Sequence, residues 1–269
     1  MVTAMLNCRT LFLSDIHLGC KNCQAGFLLN FLKSCQVDTI YLLGDIVDLW
    51  AMQKQVFWQV QQNQVVRQLL KMAEQGTEII YVPGNHDEAL RLYAGKRFGA
   101  ISIQLRSQHT TLQGKRLLLL HGDEFDKQVQ LAHWHRRLGD HLYDLLLFLN
   151  RWNNRLRRLM RRPYFSLAAY IKSKVPGAQQ AIARYRTAAV TRAKRAGYDG
   201  IVCGHIHHPE ITLQDGILYC NDGDWIDSCT ALVEQQDGSL ALYHCAETCQ
   251  QISSWPSENR PQPQLTRVA

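Results

Sequence analysis

Five short polar motifs, each directly after a short apolar run, constrain what this chain of 269 residues can fold into. In chain order they are Asp15-Ile16-His17, Gly44-Asp45-Ile46-Val47-Asp48, Gly84-Asn85-His86-Asp87, His121-Gly122-Asp123 and Gly204-His205-Ile206-His207. Carboxylate, amide and imidazole groups of this kind bind divalent metals such as Mn²⁺, Zn²⁺ and Fe²⁺. A single His-x-His pair would mean little, but five clusters at five strand ends predict the two-metal site of a hydrolase.

The apolar runs before the motifs predict buried β-strands. They are short and aliphatic, as strands covered on both faces tend to be, and comprise Leu11–Leu13, Thr39–Leu43, Glu78–Val82, Leu117–Leu120 and Gly200–Cys203. Ligands of open α/β sheets bind beyond the carboxyl ends of the strands, so the polar side chains should meet at one edge. Glycines at 44, 84, 122 and 204 would let the backbone turn sharply there.

The order of the five motifs resembles the calcineurin-like metallophosphoesterase superfamily, from about residue 10 to about residue 245. The resemblance implies an α/β fold, a four-layer α/β/β/α sandwich with an inserted helical cap. It also implies two divalent metal ions, which we expect to be Mn²⁺. One ion would be held by Asp15, His17, Asp45 and His207. The other would be held by Asp45, Asn85, His121 and His205, so that Asp45 bridges the pair.

The resemblance also assigns two catalytic residues. His86 would be a general acid or a transition-state stabiliser beside the scissile phosphate, and Asp87 would hold the His86 ring by a hydrogen bond. Two cations about 3.5–4 Å apart can clamp the attacking and leaving oxygens of a phosphoryl transfer and lower the pKa of water. No Ser or Cys nucleophile is then needed.

Length and composition predict one enzyme domain at residues 1–249, with 46% hydrophobic and 20% charged residues. Met1 to Thr10 has no basic start followed by an apolar stretch, and no apolar run reaches the length of a membrane span, so neither a signal peptide nor a span is expected. Residues 250–269 are polar, with prolines at 256, 261 and 263, and we expect a disordered tail.

The nine cysteines are an odd number with no export signal, so reduced thiols of a cytoplasmic protein are expected. Cys20-x-x-Cys23 and Cys245-x-x-x-Cys249 could instead bind zinc together, although thiol pairs without a role are more common. Strand-like runs from Ile211 to Cys245 should complete a second sheet, and Asn221–Trp225 between them either borders the site or is an ordinary turn.

Positive charge is concentrated between the fourth and fifth motifs. Asp126 to Arg195 contains sixteen Lys or Arg and three acidic residues, whereas the whole chain is only +7. The pattern predicts that this segment is helical and forms a cap, at about 126–196, on the side of the metals. One helix should end before Pro163, a second should cover Tyr164 to Lys174, and a third should run from about Ala178 to Ala196.

The first cap helix carries an apolar stripe beside an arginine row. The stripe consists of Leu138, Leu142, Leu145, Leu146, Leu149, Trp152, Leu156 and Leu159. Packing of the cap on the core would explain this stripe, and a solvated face would explain the arginines. Alternatively, the basic surface binds anionic lipid head groups or an anionic substrate. The candidate residues for that role are Arg155, Arg158, Arg162, Lys172 and Lys174.

Within the superfamily the chain most resembles the UDP-2,3-diacylglucosamine diphosphatase branch of lipid A biosynthesis. The shared features are the opening Leu11–Gly19 motif, the Ile40–Trp50 run and a helical cap after the fourth motif. The resemblance implies cleavage of the diphosphate of a UDP-linked glycolipid, releasing UMP and a lipid 1-phosphate. It also implies a cytoplasmic protein, peripheral on the cytoplasmic face of the inner membrane. One departure is His86, where the best-known members of the branch carry Arg.

Two other functions remain open at this point. A cytosolic phosphodiesterase or nuclease could use the basic cap to bind nucleotides or nucleic acid, although no separate nucleic-acid motif is present. A scaffold that binds metal without turnover is the third hypothesis, but such scaffolds usually lose a ligand, and all five motifs are complete here.

Overall fold

The computed structural model of the chain describes residues 5–126, 149–150, 152–157, 159–160 and 162–255. Its first sheet has eight strands, which are β1 Leu6–Leu13, β2 Cys35–Leu42, β3 Glu78–Tyr81, β4 Arg97–Phe98, β5 Ile101–Ile103, β11 Thr230–Gln235, β12 Leu240–Cys245 and β13 Cys249–Trp255. Across the sheet their order is β13-β12-β11-β1-β2-β3-β5-β4. Because β1, β2 and β3 are parallel neighbours, the residues that follow them meet at one edge.

The second sheet has five strands, which are β6 Ser107–Thr110, β7 Arg116–Leu119, β8 Gly200–Cys203, β9 Glu210–Gln214 and β10 Ile217–Asn221. Across the sheet their order is β6-β7-β8-β10-β9. Strands β7 and β8 are parallel, so the fourth and fifth motifs follow neighbouring strands of this sheet. The helices are α1 Ala25–Lys33, α2 Leu49–Lys54, α3 Val60–Glu74, α4 Leu167–Lys174 and α5 Pro176–Arg195. Short 3₁₀ helices cover Glu88–Tyr93 and Asp123–Phe125.

Three apolar cores separate four layers, which confirms the predicted α/β/β/α class. Leu11 and Leu13 of β1 pack in the core beneath α1 and α3, whereas Phe12 between them faces the second sheet. The same alternation in β7 sends Leu118 to the α5 side and Leu117 to the inter-sheet core. Successive strand side chains point to opposite faces, so a continuous apolar run fills two cores.

The insertion between β7 and β8 differs in part from the expected cap. Helix α5 begins at Pro176, since proline is well tolerated in the first turn of a helix. Its buried residues Tyr185, Ala189 and Ala193 pack on the second sheet, so α5 is an outer layer of the core and not part of a cap. Residues 149–150, 152–157 and 159 are helical, as predicted, and α4 follows. The rest of the predicted first helix, with Leu138, Leu142, Leu145 and Leu146, lies outside the described residues.

Three further expectations are corrected. Strands β11 and β12 extend the first sheet through β1, so only β9 and β10 complete the second. Residues 250–255 belong to β13 and are ordered by pairing with β12, while the rest of the predicted tail lies outside the described residues. Cys245 and Cys249 form a disulfide and are not reduced, because the β12–β13 hairpin places their Cα atoms 4.0 Å apart. The four-cysteine zinc site is therefore not formed.

A buried carboxylate joins the two sheets. Glu234 of β11 is fully buried, and its Oε2 lies 2.8 Å from His109 Nε2 of β6. It also accepts hydrogen bonds from the Thr10 hydroxyl and the Leu112 N–H. Burial by itself would raise the pKa of this carboxyl, but these partners, His109 foremost, hold the pKa of Glu234 below its ordinary 4.5.

We predict that Glu234→Gln lowers the melting temperature at pH 7 by about 2–8 °C, since one buried charged hydrogen bond is worth about 1–3 kcal/mol. Because the folded-state pKa is lowered, the stabilisation is complete above pH 4.5 and is lost as the pH falls through the folded value. The gap between wild type and variant should therefore narrow below that pH in thermal melts. Glu78→Gln, at an exposed position of β3, is the control. An unchanged melting temperature at pH 7 would contradict the role of Glu234.

Candidate metal centre

The backbone at the strand ends is bent in an unusual way. Seven non-glycine residues of the described chain have positive φ, and five of them are predicted metal ligands: Asp15, His17, Asp45, His205 and His207, with φ between 50° and 69°. Such a conformation costs about 1–3 kcal/mol per residue and persists only where the surroundings impose it. The strain is concentrated where the five motifs meet, which is typical of a functional site.

The first predicted ligand set is brought together by the structure. Asp15, His17 and His207 offer ligand atoms within 4.8 Å of one another. His207 Nε2 lies 3.2 Å from Asp15 Oδ1, and His17 Nε2 lies 3.8 Å from both Asp15 Oδ1 and Asp45 Oδ2. Asp15, His17 and His207 are therefore close enough to share one cation, and Asp45 approaches this group through His17.

The second predicted set lies on the other side of Asp45. Asp45, His121 and His205 again offer ligand atoms within 4.8 Å of one another. His121 Nε2 lies 3.3 Å from Asp45 Oδ2 and 3.1 Å from Asn85 Oδ1. Because Asp45 Oδ2 is close to His17 on one side and to His121 on the other, the predicted bridging role fits its position.

The imidazole orientations fit metal binding, which usually requires the second ring nitrogen to donate to an acceptor. Nδ1 of His17 lies 3.0 Å from Asp48 Oδ2, and Nδ1 of His121 lies 2.8 Å from the Leu43 carbonyl. For His205 the roles are exchanged, with Nε2 lying 2.7 Å from Asp126 Oδ1. In His17 and His205 the other ring nitrogen has no hydrogen-bond partner among the described residues, and in His121 it lies beside Asn85 Oδ1 and Asp45 Oδ2, so the neutral tautomer of each ring would offer that nitrogen to a metal ion.

Buried polar atoms without a hydrogen-bond partner among the described residues include Asp15 Oδ1, His17 Nε2, His205 Nδ1 and His207 Nδ1. Burying such groups unpaired is costly, so a ligand is expected on them. Asp15 Oδ1 and His17 Nε2 are also the atoms that lie nearest to other predicted ligands, at 3.2–3.8 Å. The donor set of carboxylates, imidazoles and one amide oxygen suits divalent transition metals.

The charges in the site also favour cations. Burial would raise the pKa values of Asp15 and Asp45, yet His207 and His121, respectively, hold these pKa values far below the usual range. Burial would lower the pKa of His121, but Asp45 and Asp15 raise it to about 10. The two ionised carboxylates thus create a negative potential that stabilises positive charge, whether on imidazolium or on metal ions.

Two motif glycines allow the close approach of the ligands. A Cβ on Gly84 would lie 2.3 Å from Asp45 Oδ1, and one on Gly204 would lie 2.0 Å from Ser14 Oγ and 2.4 Å from Asp15 Oδ2. Both clashes involve buried groups that are fixed by hydrogen bonds. Any larger residue would displace the carboxylates that the predicted ions require.

The predicted partner of His86 is wrong. Asp87 does not contact the His86 ring; its carboxylate accepts from the Tyr81 hydroxyl and from the N–H groups of Gly84 and Ile46. The carboxylate beside His86 Nδ1 is Asp48 Oδ1, at 2.8 Å, because the turn after β2 places Asp48 between His86 and His17. Asp87 instead ties the second and third motifs together through the backbone.

Sequence reasoning missed Asp48 and Asp126 as site residues. Asp48 stands three residues after Asp45 in the second motif, and that spacing was available as a signal. Asp126 carries no local signal, since only the fold brings it to His205. Of the two readings left open for the Asn221–Trp225 loop, the structure favours the one in which it borders the site, because the Trp225 N–H donates to the Asp15 carbonyl at 3.0 Å and Asp224 lies beside His207.

The predicted lipid or substrate residues are not brought to the metal site by any described contact. Arg155, Arg162 and Lys174 are exposed on the helical insertion. Arg158 and the Lys172 side chain lie outside the described residues. Their roles remain predictions.

Comparison with known proteins agrees with this site. The profile of the calcineurin-like phosphoesterase family matches residues 8–209, which contain all five motifs. The chain is 27% identical over 247 residues to a UDP-2,3-diacylglucosamine hydrolase of Neisseria gonorrhoeae, covering 88% of this chain and 98% of that protein. It is 28% identical over 215 residues to a protein of the same name from Yersinia pestis, covering 75% and 83%. Among solved structures, Yfce, a phosphoesterase from E. coli, is 18% identical with a TM-score of 0.47, covering 91% and 97%.

The chain belongs to the calcineurin-like phosphoesterase family. It is therefore a metal-dependent hydrolase, which confirms the resemblance of the five motifs. Within the part of the chain that the structure describes, every helix is too short or too polar to cross a membrane.

We predict that Asp48→Asn and Asp87→Asn fail in different ways. Asp48→Asn should lower turnover about 10–100-fold, the usual loss when a carboxylate behind a ligand histidine is removed, with little change in melting temperature. Asp87→Asn places an amide against backbone N–H donors, each worth about 1–3 kcal/mol, and should lower the melting temperature by several degrees. Thermal melts and phosphodiesterase assays of the matched pair would separate the roles. Equal melting temperatures of the two variants would contradict this assignment.

Proposed function

We propose that this protein hydrolyses the diphosphate of UDP-2,3-diacylglucosamine or a close relative, releasing UMP and a lipid 1-phosphate. The observation that carries the proposal is that the predicted ligands lie in two neighbouring groups, Asp15, His17 and His207, and Asp45, His121 and His205 with Asn85 beside His121, in a chain whose relatives bear the name of this activity. A diphosphate between a nucleoside and a lipid is an anion that suits such a site. The runner-up, a nuclease or soluble phosphodiesterase, has no separate observation in its favour.

The site residues have two proposed roles, since some would bind the metal ions and His86 would assist the reaction. Asp15, His17, Asp45 and His207 would hold one divalent ion, and Asp45, Asn85, His121 and His205 would hold the second, with Mn²⁺ as the expected metal. When bound, such ions supply charge stabilisation for the phosphoryl oxygens and lower the pKa of water. His86 Nε2 lies 3.9 Å from Asp45 Oδ2, and His17, Asp45 and His86 also form a group that could hold a metal ion. We propose instead that His86 donates a proton to the leaving oxygen.

The test is release of UMP from UDP-2,3-diacylglucosamine in detergent micelles with added Mn²⁺. Parallel assays with bis(p-nitrophenyl) phosphate and with single-stranded DNA report the other phosphodiester classes. We expect UMP to be the main product and Asp45→Ala to retain less than about a tenth of the activity, since a two-metal clamp supplies several kcal/mol. Metal analysis should find two ions per chain in wild type and fewer in the variant.

The outcomes separate the parts of the proposal. Good cleavage of another phosphodiester, with none of the UDP-lipid, would leave the hydrolase class standing and remove the substrate. Substantial activity of Asp45→Ala would instead show that the assigned bridge is wrong.

We also propose that the helical insertion binds the surface of an anionic membrane, the cytoplasmic face of the inner membrane being the expected location. The described part of its first helix exposes large apolar side chains: Trp152 and Leu156 are 59% exposed, and Leu159 is 79% exposed. Exposed basic residues, Arg155 among them, lie in the same segment. Apolar and basic groups together suit insertion at a lipid interface.

The insertion is attached next to the metal site. The Tyr164 hydroxyl donates to the Asp227 carbonyl at 3.1 Å, and the Tyr164 N–H donates to Glu247 Oε1 at 2.7 Å. The loop that contains Asp227 follows Trp225, whose N–H contacts the Asp15 carbonyl. A membrane held by the insertion would therefore present lipid head groups near the predicted ions.

We predict that exchanging Arg155, Arg158 and Arg162 together for Glu weakens cosedimentation with phosphatidylglycerol vesicles by about a hundredfold, at about 1 kcal/mol per basic residue. Hydrolysis of bis(p-nitrophenyl) phosphate should be unchanged. The matched control exchanges Lys54, Arg67 and Lys71, which are exposed on α2 and α3, for Glu. Equal vesicle binding of the two triple variants would remove the membrane role of the insertion.

A further inference from the structure

We propose that Trp50 is a positioning residue that holds the His86 imidazole in its working orientation. The two ring centroids are 4.5 Å apart with an interplanar angle of 36°, so the indole packs against the imidazole in a tilted arrangement. This inference rests on the proposed role of His86 in proton transfer. It concerns a residue that lies outside the predicted ligand sets.

The turn into α2 fixes His86 at three points. Asp48 Oδ1 lies 2.8 Å from His86 Nδ1, and the Leu49 N–H donates to the His86 carbonyl at 3.2 Å. Trp50, the next residue, places its indole against the His86 imidazole. Asp48 also caps α2, since its side chain accepts from the Ala51 N–H, so the start of the helix is itself fixed. Three consecutive residues therefore contact one histidine.

His86 also contacts His17. Their ring centroids are 4.6 Å apart, and the rings are nearly perpendicular at 84°. The His86 backbone N–H donates to Asp45 Oδ1 at 2.8 Å. The imidazole thus packs against both the Trp50 indole and the His17 ring, with Nε2 3.9 Å from Asp45 Oδ2.

The indole contact adds to the hydrogen bond that His86 Nδ1 makes to Asp48. That hydrogen bond restrains the ring at one atom, and the indole beside the ring limits the other orientations that the imidazole could adopt, so that Nε2 stays near the site. Trp50 is 42% exposed and His86 is 27% exposed at the side chain, so burial in the apolar core does not explain the placement of the indole.

The activity test is a double-mutant cycle on bis(p-nitrophenyl) phosphate with Mn²⁺. Trp50→Ala should lower kcat by about 10–100-fold with KM little changed, since small misplacement of a reacting group costs up to about 10²-fold. Trp50→Phe, which keeps an aromatic face, should restore most of the rate. In the His86→Ala background, Trp50→Ala should lower kcat by less than about twofold, because the residue acts through His86. Trp58→Ala, at a tryptophan that is 40% exposed, is the control.

A second readout does not depend on turnover. The Trp50 indole beside His86 should shift the His86 ring protons upfield in NMR spectra of the protein loaded with diamagnetic Mg²⁺ or Zn²⁺. The His86→Ala variant identifies which signals belong to His86. Trp50→Leu should abolish the shift while leaving the metal content unchanged.

Each contrary outcome is distinguishable. A raised KM with unchanged kcat for Trp50→Ala would make Trp50 a substrate contact. Additive losses in the double variant, or loss of metal from Trp50→Ala, would show that Trp50 does not act through His86. An unchanged kcat for His86→Ala would overturn the proposed proton transfer, and with it any effect of Trp50 on turnover, even if the ring shift were present.

Discussion

The buried negative charge of Asp15 and Asp45 is the constraint on which the rest of this structure depends. Both carboxylates lie at the ends of parallel strands, and the opposing charges that act on them come from histidines. Two ionised carboxylates without nearby cations would be costly to bury. The site is therefore stable only with positive charge inside it, and the ring nitrogens of His17 and His205 that lack a hydrogen-bond partner among the described residues suit divalent metal as the source of that charge.

The backbone, as well as the side chains, holds the groups that create this requirement for positive charge. The left-handed conformations at Asp15, His17, Asp45, His205 and His207 are imposed by hydrogen bonds between neighbouring motif loops, such as Asp15 N to the Gly44 carbonyl and His17 N to the Asp45 carbonyl. Asp87 continues the same role by accepting from the N–H groups of two loops. Local strain is thus held by a network that the two sheets keep rigid.

A further layer of residues decides how the site can work. Asp48 shares its carboxylate between a predicted ligand, His17, and the predicted acid, His86, so the proposed metal binding and proton transfer would both depend on one side chain. His86 stands where the resemblance leads one to expect Arg, and here its ring contacts Trp50 and His17. The helical insertion adds an exposed apolar and basic surface, anchored by Tyr164 beside the loop that touches Asp15.

The sequence by itself determined the class, the strands that precede the five motifs and most of the residues that meet at the site. Continuous apolar runs such as Leu11–Leu13 placed these strands, and short polar motifs after them placed the predicted ligands, because strand direction alone sends these residues to one edge. The tertiary structure decided what depends on distant contacts. Packing between elements far apart in the chain decides that Asp48 is the carboxylate beside His86 and that Asp126 lies beside His205. It also decides that α5 packs on the second sheet and does not form part of a cap. The same holds for the pairing of β11 with β1 and the closure of the hairpin by Cys245 and Cys249, since local pattern carries no record of which strand becomes a neighbour.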